Sequence, residues 1–481
     1  MKKNVFVVLG IIIFMVIVGH MLSNAALFEN LELLSYDLRS KLTTDNGLFG
    51  KKFNQADKDI VIVAIDNYSR QELIKHPIEK FGPWPWHRDV WNDVIDFIEQ
   101  GQPKALMFDM VFEELNENTW HDRIFAQELR KYDNIVLGTY LDNPKIQNDK
   151  FANEITVEQN NYLPTAQTLN VIIDNKKLED DITYYINAPV HDLYTQYNTM
   201  GVLNKVLDND NNVRKNQPLF KLVKNGKTYY MPSLAFAGFL KYMGEDGNIV
   251  VKKNKLLYKD RVIPLEDDGT VNLNLHKFGR TYSYIPISKI LLNKGGKHDL
   301  KPNYFKDKLV IIGKTAAGGN VDLSSIIDPS YTSPEANAVA LDNFINDSLS
   351  GDKKARKFVS EVSKPLQVLI TIIACILVAF LVLVSKSAFI GCVNGFFSIL
   401  LYLVFCFWLF VNPSSRLLLP IVVPLYYLAV TSGIVFAFRF YKEMTKKTSI
   451  MNAFGKFVSP KVLSNVTKNP ANMVLKSTKN A

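Results

Sequence analysis

Three carboxylates follow short runs rich in β-branched residues. Asp66 follows Ile60-Val61-Ile62-Val63-Ala64-Ile65. Asp109 lies near the end of the run from Ala105 to Phe112, with Glu113 and Glu114 just after it. Asp322 follows the turn Gly313-Lys314-Thr315-Ala316-Ala317-Gly318-Gly319. Carboxylates accept hydrogen bonds from a ligand's donors or hold a hard cation. A glycine-rich turn exposes backbone N–H groups that suit an anion, although the Gly-x-x-x-x-Gly-Lys-Ser/Thr spacing of a phosphate loop is missing. Arg88, at the start of a helical pattern, can pair with a carboxylate or grip an anionic ligand bidentately. Trp84 and Trp86 beside it offer apolar walls, as small-molecule sites require. The candidate ligand-binding residues are therefore Asp66, Trp84, Trp86, Arg88, Asp109, Glu113, Thr315 and Asp322. Taken singly, each Asp and Gly also fits a turn or a helix cap, and Arg88 fits a fold-stabilising ion pair.

These residues need elements that bring them together. Ile60 to Ile65, Ala105 to Phe112, Asn134 to Leu141 and Lys308 to Ile312 are near-continuous apolar runs, as in strands buried on both faces. Between the first two lies a helical pattern, Trp86 to Glu99, with Val90, Val94, Ile95 and Ile98 on one side. His121 to Lys131 separates the second run from the third. Strand and helix in alternation predict an α/β domain with a largely parallel sheet flanked by helices. In such sheets ligands bind beyond the carboxyl ends of the strands. Asp66, Arg88, Asp109, Thr315 and Asp322 are thus expected to converge at one edge.

The rest of the chain speaks of a membrane. Of 481 residues 47% are hydrophobic, and the excess sits in four blocks: 5–22, 366–384, 388–411 and 417–438. Each is long enough to cross a hydrocarbon core of about 30 Å. The first is read as an uncleaved anchor, because it exceeds the h-region of a signal peptide. Lys2 and Lys3 precede it, while Arg439, Lys442, Lys446 and Lys447 follow the last. By the positive-inside rule both termini, 1–4 and 439–481, are cytoplasmic, and residues 23–364 form an extracytoplasmic domain. Lys353, Lys354, Arg356, Lys357 and Lys364 run against the rule, but long translocated domains largely escape it. Leu27, Leu31, Leu34, Leu38 and Leu42 recur at helical spacing and need a partner, either the domain or a second copy.

Several function classes are disfavoured. The formal net charge is +9, but the basic residues form no stripe with interleaved aromatics, so nucleic acid is not an expected partner; membrane lipid is. Cys375, Cys392 and Cys406 all lie in the apolar blocks, which excludes a disulfide framework outside them. The spans carry no charge of the kind a transporter uses. No cofactor, catalytic set or metal site is expected, since the sequence shows no HExxH, no Ser nucleophile elbow and no clustered histidines. The competing expectation is an extracytoplasmic metal-dependent hydrolase built on Asp66, Asp109 and Asp322.

A family resemblance rests on particular residues. Tyr36-Asp37-Leu38-Arg39, Ala64-Ile65-Asp66, Pro83-Trp84-Pro85-Trp86-His87-Arg88 and Phe108-Asp109-Met110-Val111-Phe112-Glu113 resemble the opening of a CHASE2 domain. Asp208-Asn209-Asp210 with Val213-Arg214 resembles its acidic turn, Val310 to Ala316 its late strand, and Ala340-Leu341-Asp342-Asn343 its closing helix. Asn211 stands where glycine is usual, and Asn337 where a histidine is expected. The resemblance implies an extracytoplasmic sensor with an unknown small-molecule ligand, followed by three spans. Beyond them, Phe440, Met444, Met451, Phe454 and Val458 trace near-heptad positions, interrupted by Lys447, which fit either a dimeric signalling helix or an ordinary amphipathic tail. Phe454-Gly455-Lys456-Phe457-Val458-Ser459-Pro460 resembles the segment before the catalytic domain of CHASE2-linked class III adenylate/guanylate cyclases. The expectation is a homodimeric, non-catalytic front part of such a cyclase, ending at Ala481 before any catalytic domain.

Overall fold

The computed structural model describes residues 26–44, 56–76, 84–114, 118–142, 199–224, 227–275, 281–293, 299–316, 328–348 and 356–454, with short stretches among the remainder. The first apolar block, 5–22, lies almost wholly outside them, as does the tail after residue 454. Three described helices have the length and composition to cross a membrane, where the sequence reading counted four blocks.

The labelled elements are, in chain order, α1 (Ala26–Thr43), β1 (Ile60–Ile65), α2 (Asn67–Ile74), α3 (Val90–Glu99), β2 (Ala105–Asp109), α4 (Thr119–Leu129) and β3 (Ile135–Asp142). After these come β4 (Tyr185–Asn187), β5 (Met200–Val202), β6 (Val213–Asn216), α5 (Leu234–Met243), β7 (Ser283–Pro286), β8 (Leu309–Lys314) and α6 (Ser333–Asn346). The last are β9 (Ser360–Glu361), α7 (Lys364–Val384), α8 (Ala388–Val411), β10 (Leu417–Leu418) and α9 (Val422–Phe454).

The chain divides into two compact bodies. One comprises residues 36–361 together with 409–418. Its centre is a seven-stranded sheet in the order β7-β1-β8-β2-β3, with β4 and β5 both paired to β3. All neighbours run parallel except β3 and β4. Side chains alternate between the faces of a strand. Val61, Val63, Leu106, Phe108, Val310 and Ile312 therefore pack against Val90, Val94, Ile98 and Phe125 of α3 and α4. Ile60, Ile62, Ala105, Met107, Leu309 and Ile311 pack on the other face against Phe236, Phe239, Ala340 and Phe344 of α5 and α6. Burial of all six residues of β1 explains why its sequence is apolar without alternation. The late strand β8 inserts between β1 and β2, so the first two strands are not neighbours.

The Tyr-Asp-Leu-Arg segment of α1 is held by a buried ion-pair cluster. Arg214 of β6, its side chain 3% exposed, reaches Asp37 through Nε and Nη2 at 2.8 Å each, Asp208 through Nη1 at 2.8 Å, and Asp210 through Nη2 at 2.6 Å. Burial alone would lower the guanidinium; Asp210, Asp37 and Asp208 outweigh it and hold it above its ordinary value. The same bonds hold Asp210 well below the usual carboxylate range. Asn211 closes the acidic turn at φ +61°, a left-handed conformation that asparagine tolerates better than most residues. That is why it can stand where glycine is usual.

Residues 409–418 belong to this same body. The Tyr36 ring packs edge-on to Phe410 at 6.0 Å, and the buried Arg39 guanidinium lies over Phe410 at 5.6 Å. Arg416 donates to the side chain of Asn274 and, at 3.3 Å, to the Phe410 carbonyl. β9 and β10 pair in parallel, Ser360 with Leu417 and Glu361 with Leu418. Here the sequence reading needs correction, because the last span begins at Val422 and not at Leu417. Pro420 disfavours helix in the residue before it, and residues 417–418 are spent on strand pairing.

The second body comprises residues 1–35, 362–408 and 419–481. Within it Glu32 of α1 accepts from the backbone N–H groups of Ile421 and Val422, both at 2.9 Å, an anion at the start of α9. On α8 a Cβ at Gly395 would lie 2.1 Å from Ser432 Oγ of α9, so the two helices cross at a small residue. Leu27, Leu31 and Leu34 of α1 stay exposed.

Replacing Arg214 by Met leaves three carboxylates facing one another without a counter-charge. The expected loss is about 3–5 kcal/mol, the usual result of breaking one side of a buried pair. Urea unfolding of the full chain in detergent checks this, and an unchanged midpoint contradicts it. Arg214→Lys should rescue only part, because an ammonium cannot reproduce the forked donors.

Candidate functional site

Above the carboxyl ends of β2 and β8 lies a cavity of about 400 Å3. Small-molecule sites usually fall between about 300 and 1,000 Å3. Its walls are aromatic: Trp84, Trp86, Trp91, Phe112, Tyr140 and Tyr331. The indoles of Trp84 and Trp86 meet edge to face at 4.9 Å, and Trp86 packs on Trp91 at 5.8 Å. Polar groups enter at few points: Asp109, Arg88, Lys314, Thr332 and Ser333. The start of α6 forms one side, with Pro334 in its first turn.

Asp109 is the buried acceptor of the site. Its Oδ1 accepts from Ser333 Oγ at 2.9 Å and its Oδ2 from Asn337 Nδ2 at 3.1 Å. Asn337 in turn accepts from Lys205 Nζ at 2.6 Å. A chain of hydrogen bonds thus runs from Lys205 through Asn337 to Asp109. Burial pushes the Asp109 carboxyl up, while Lys205 and the bonds from Ser333 and Asn337 pull it back. Burial pushes Lys205 down to about 8, opposed by Asp109. Burial also lifts Tyr140 to about 12, helped by the charges of Asp109 and Glu113. Gly313 sits opposite Asp109 in the β8–β2 register. A Cβ there would lie 2.4 Å from Pro334 Cγ and 3.0 Å from Asp109 Cβ, so the site leaves no room for a side chain at that position.

Arg88 does not face Asp109. Its Nη2 donates to the Glu114 carbonyl at 2.6 Å, its Nε lies 3.3 Å from Asp122, and its guanidinium covers Phe112 at 4.9 Å. It ties the segment before α3 to the segment after β2 and to the start of α4. The sequence reading began α3 at Trp86, whereas the helix starts at Val90, after a turn over residues 87–90 closed by Val90 N–H to the His87 carbonyl at 3.1 Å.

Of the eight residues singled out in the sequence, the fold brings Trp84, Trp86, Arg88 and Asp109 to the cavity. Asp66 does not line it: its Oδ1 caps α2 by accepting from Ser69 N at 2.7 Å. Glu113 is exposed beyond β2 and contributes charge near Tyr140. Thr315 donates its N–H to the Ile65 carbonyl at 3.2 Å, between the lining residues Lys314 and Ala316. Asp322 and the glycines Gly318 and Gly319 lie outside the described residues. Of the carboxylate trio of the hydrolase reading, Asp109 lines the cavity, Asp66 caps α2, and Asp322 lies outside the described residues. Lys205, Ser333 and Tyr140 were missed, being single polar residues in stretches without a motif. Asn337 was noted only as a departure from histidine, and is the residue that links Lys205 to Asp109.

The sequence shows no clustered histidines, but the fold makes one pair. His87 and His121 stack at 4.7 Å, and Asp89 joins them, with one ligand atom from each of the three lying within 4.8 Å of the others.

The domain is thus α/β, with a largely parallel sheet flanked by helices and an aromatic cavity with few polar groups at its carboxyl edge. Its chain also carries helices of membrane-spanning length. The chain belongs to the CHASE2 family: the family model described as the CHASE2 domain matches residues 10–381. This family is an extracytoplasmic sensor domain. No curated protein and no solved structure is detectably similar to the chain.

The shift at Lys205 has a pH signature. Between about 8 and its ordinary 10.5 the unfolded chain holds a proton that the folded one has released. Stability from this group therefore rises with pH across that window, and the penalty is complete below it. Wild type should gain melting temperature relative to Lys205→Met between pH 7.5 and pH 9.5. Parallel pH dependences of the two proteins would contradict the buried ammonium.

Proposed function

We propose that this chain senses an extracytoplasmic small molecule in the cavity at Asp109 and passes its binding state through the spans to a cytoplasmic output, cyclic-nucleotide synthesis. The observation that carries the reading is the cavity itself: aromatic walls for an apolar body, and a fixed buried acceptor for a ligand's N–H or O–H donor. Asp109 is held by Ser333 and Asn337, and Arg88 by the Glu114 carbonyl, which suits recognition more than turnover, and the chain's role is binding and transmission.

Transmission needs a ligand that prefers one of two states. Tyr36, Asp37 and Arg39 on α1 and residues 409–418 lie in the same body as the cavity, and both segments continue directly along the chain toward spans. A shift in this body is thereby handed to the helices by chain continuity. In this reading residues 1–4 and 439–481 are cytoplasmic, the protein is a multi-pass inner or plasma membrane protein, and two copies associate along the exposed Leu27, Leu31 and Leu34 of α1.

Two experiments test it. Fused to a cyclase domain, the wild-type chain should give cyclic-nucleotide output that responds to an extract containing the ligand. Asp109→Asn, which preserves shape, should keep the melting temperature within about 2 °C and lose at least tenfold of that response. Unfolding instead of loss of response assigns Asp109 a structural role and removes the site. For topology, single cysteines at Lys131 and Lys446 in a background lacking the three native cysteines should label oppositely with an impermeant thiol reagent on intact cells. Lys131 should react and Lys446 should not; labelling of Lys446 alone reverses the orientation.

A further inference from the structure

We infer that His87, Asp89 and His121 form a binding site for a divalent transition-metal ion, Zn2+ by ligand type, separate from the cavity. His87 and Asp89 lie in the turn before α3, and His121 lies in the first turn of α4. Their ligand atoms all fall within 4.8 Å of one another. Two ligand atoms on a tetrahedral zinc ion are separated by about 3.3 Å, given bonds of about 2.0 Å. Side-chain rotation alone closes that difference.

A second observation points to a cation. His121 Nδ1 and Asp89 Oδ1 lie 2.9 Å apart, within ion-pair distance, both withdrawn from water, yet neither makes a hydrogen bond of acceptable geometry to the other or to another group. Buried polar atoms are rarely left so. A neutral imidazole nitrogen and a carboxylate oxygen this close, with no hydrogen bond between them, are two lone-pair donors that a metal ion satisfies. The side chains remain reachable from solvent, with 16% of His121 and 39% of Asp89 exposed, so an ion can enter and keep a water in the fourth position. Two imidazoles and one carboxylate suit zinc, cobalt and nickel better than magnesium or calcium, which take oxygen ligands.

The site joins the same two segments as the neighbouring Arg88–Asp122 pair. A bound ion therefore fixes the turn that carries Trp86 and Arg88 against α4. This holds whether or not the cavity binds the proposed small molecule.

The full chain in detergent, stripped with chelator and dialysed against Co2+, should hold one equivalent with visible ligand-field absorption that Zn2+ displaces. His87→Gln, Asp89→Asn and His121→Gln should each weaken binding at least about tenfold, since even groups behind a ligand are worth about 10–100-fold. His76→Ala, a histidine outside the cluster, should bind as wild type. A second measurement needs no variant: Zn2+ should protect His87 and His121 from diethyl pyrocarbonate, read by mass spectrometry of peptides. Absence of bound Co2+ in wild type, equal binding by the cluster variants, or equal modification with and without Zn2+ overturns the site.

Discussion

The guanidinium of Arg214 joins two parts of the chain that are distant in sequence. Asp37 comes from α1, whereas Asp208 and Asp210 come from the turn just before the buried strand that carries Arg214. Removing such a group from water is costly, and only complete pairing offsets it. Here the pairing uses all three guanidinium nitrogens. The left-handed Asn211 shapes the turn that delivers two of the carboxylates. Helix α1 is thus fixed to the domain by charge, and then by the packing of Tyr36 and Arg39 on Phe410.

The cavity depends on the same economy of buried polar groups. A sheet covered on both faces leaves its strand ends as the place where polar side chains can gather. Asp109 is the last residue of β2, and each of its two oxygens accepts one hydrogen bond from α6. Lys205 reaches that helix through Asn337. Gly313 lets Pro334 and Asp109 come this close.

Much of this was legible in the sequence. Strands buried on both faces are continuous apolar runs, so the four main ones were visible with ends off by a few residues. The Trp84 to Arg88 cluster and Asp109 were found because strand ends and aromatic clusters leave local marks. What was hidden depends on contacts distant in sequence. The insertion of β8 between β1 and β2 has no local signature. Asp66 reads the same whether it caps a helix or faces a ligand, and only the Ser69 N–H decides between them. His87 and His121 look isolated until α4 returns across α3. Leu417 and Leu418 are apolar enough for a span, but their backbone is engaged by Ser360 and Glu361.

The position of residues 409–418 bears on how such a sensor can be rearranged by recombination. The domain is not encoded as one continuous insert between two spans. The end of α8 supplies Phe410 against Tyr36 and Arg39, and the turn after it supplies Arg416 for Asn274. A gene fragment ending at residue 361 would encode a domain with a hole beneath its entry helix. The unit that can be moved intact to a new output runs from α1 at least to the start of α9, so the sensing domain and its spans travel together.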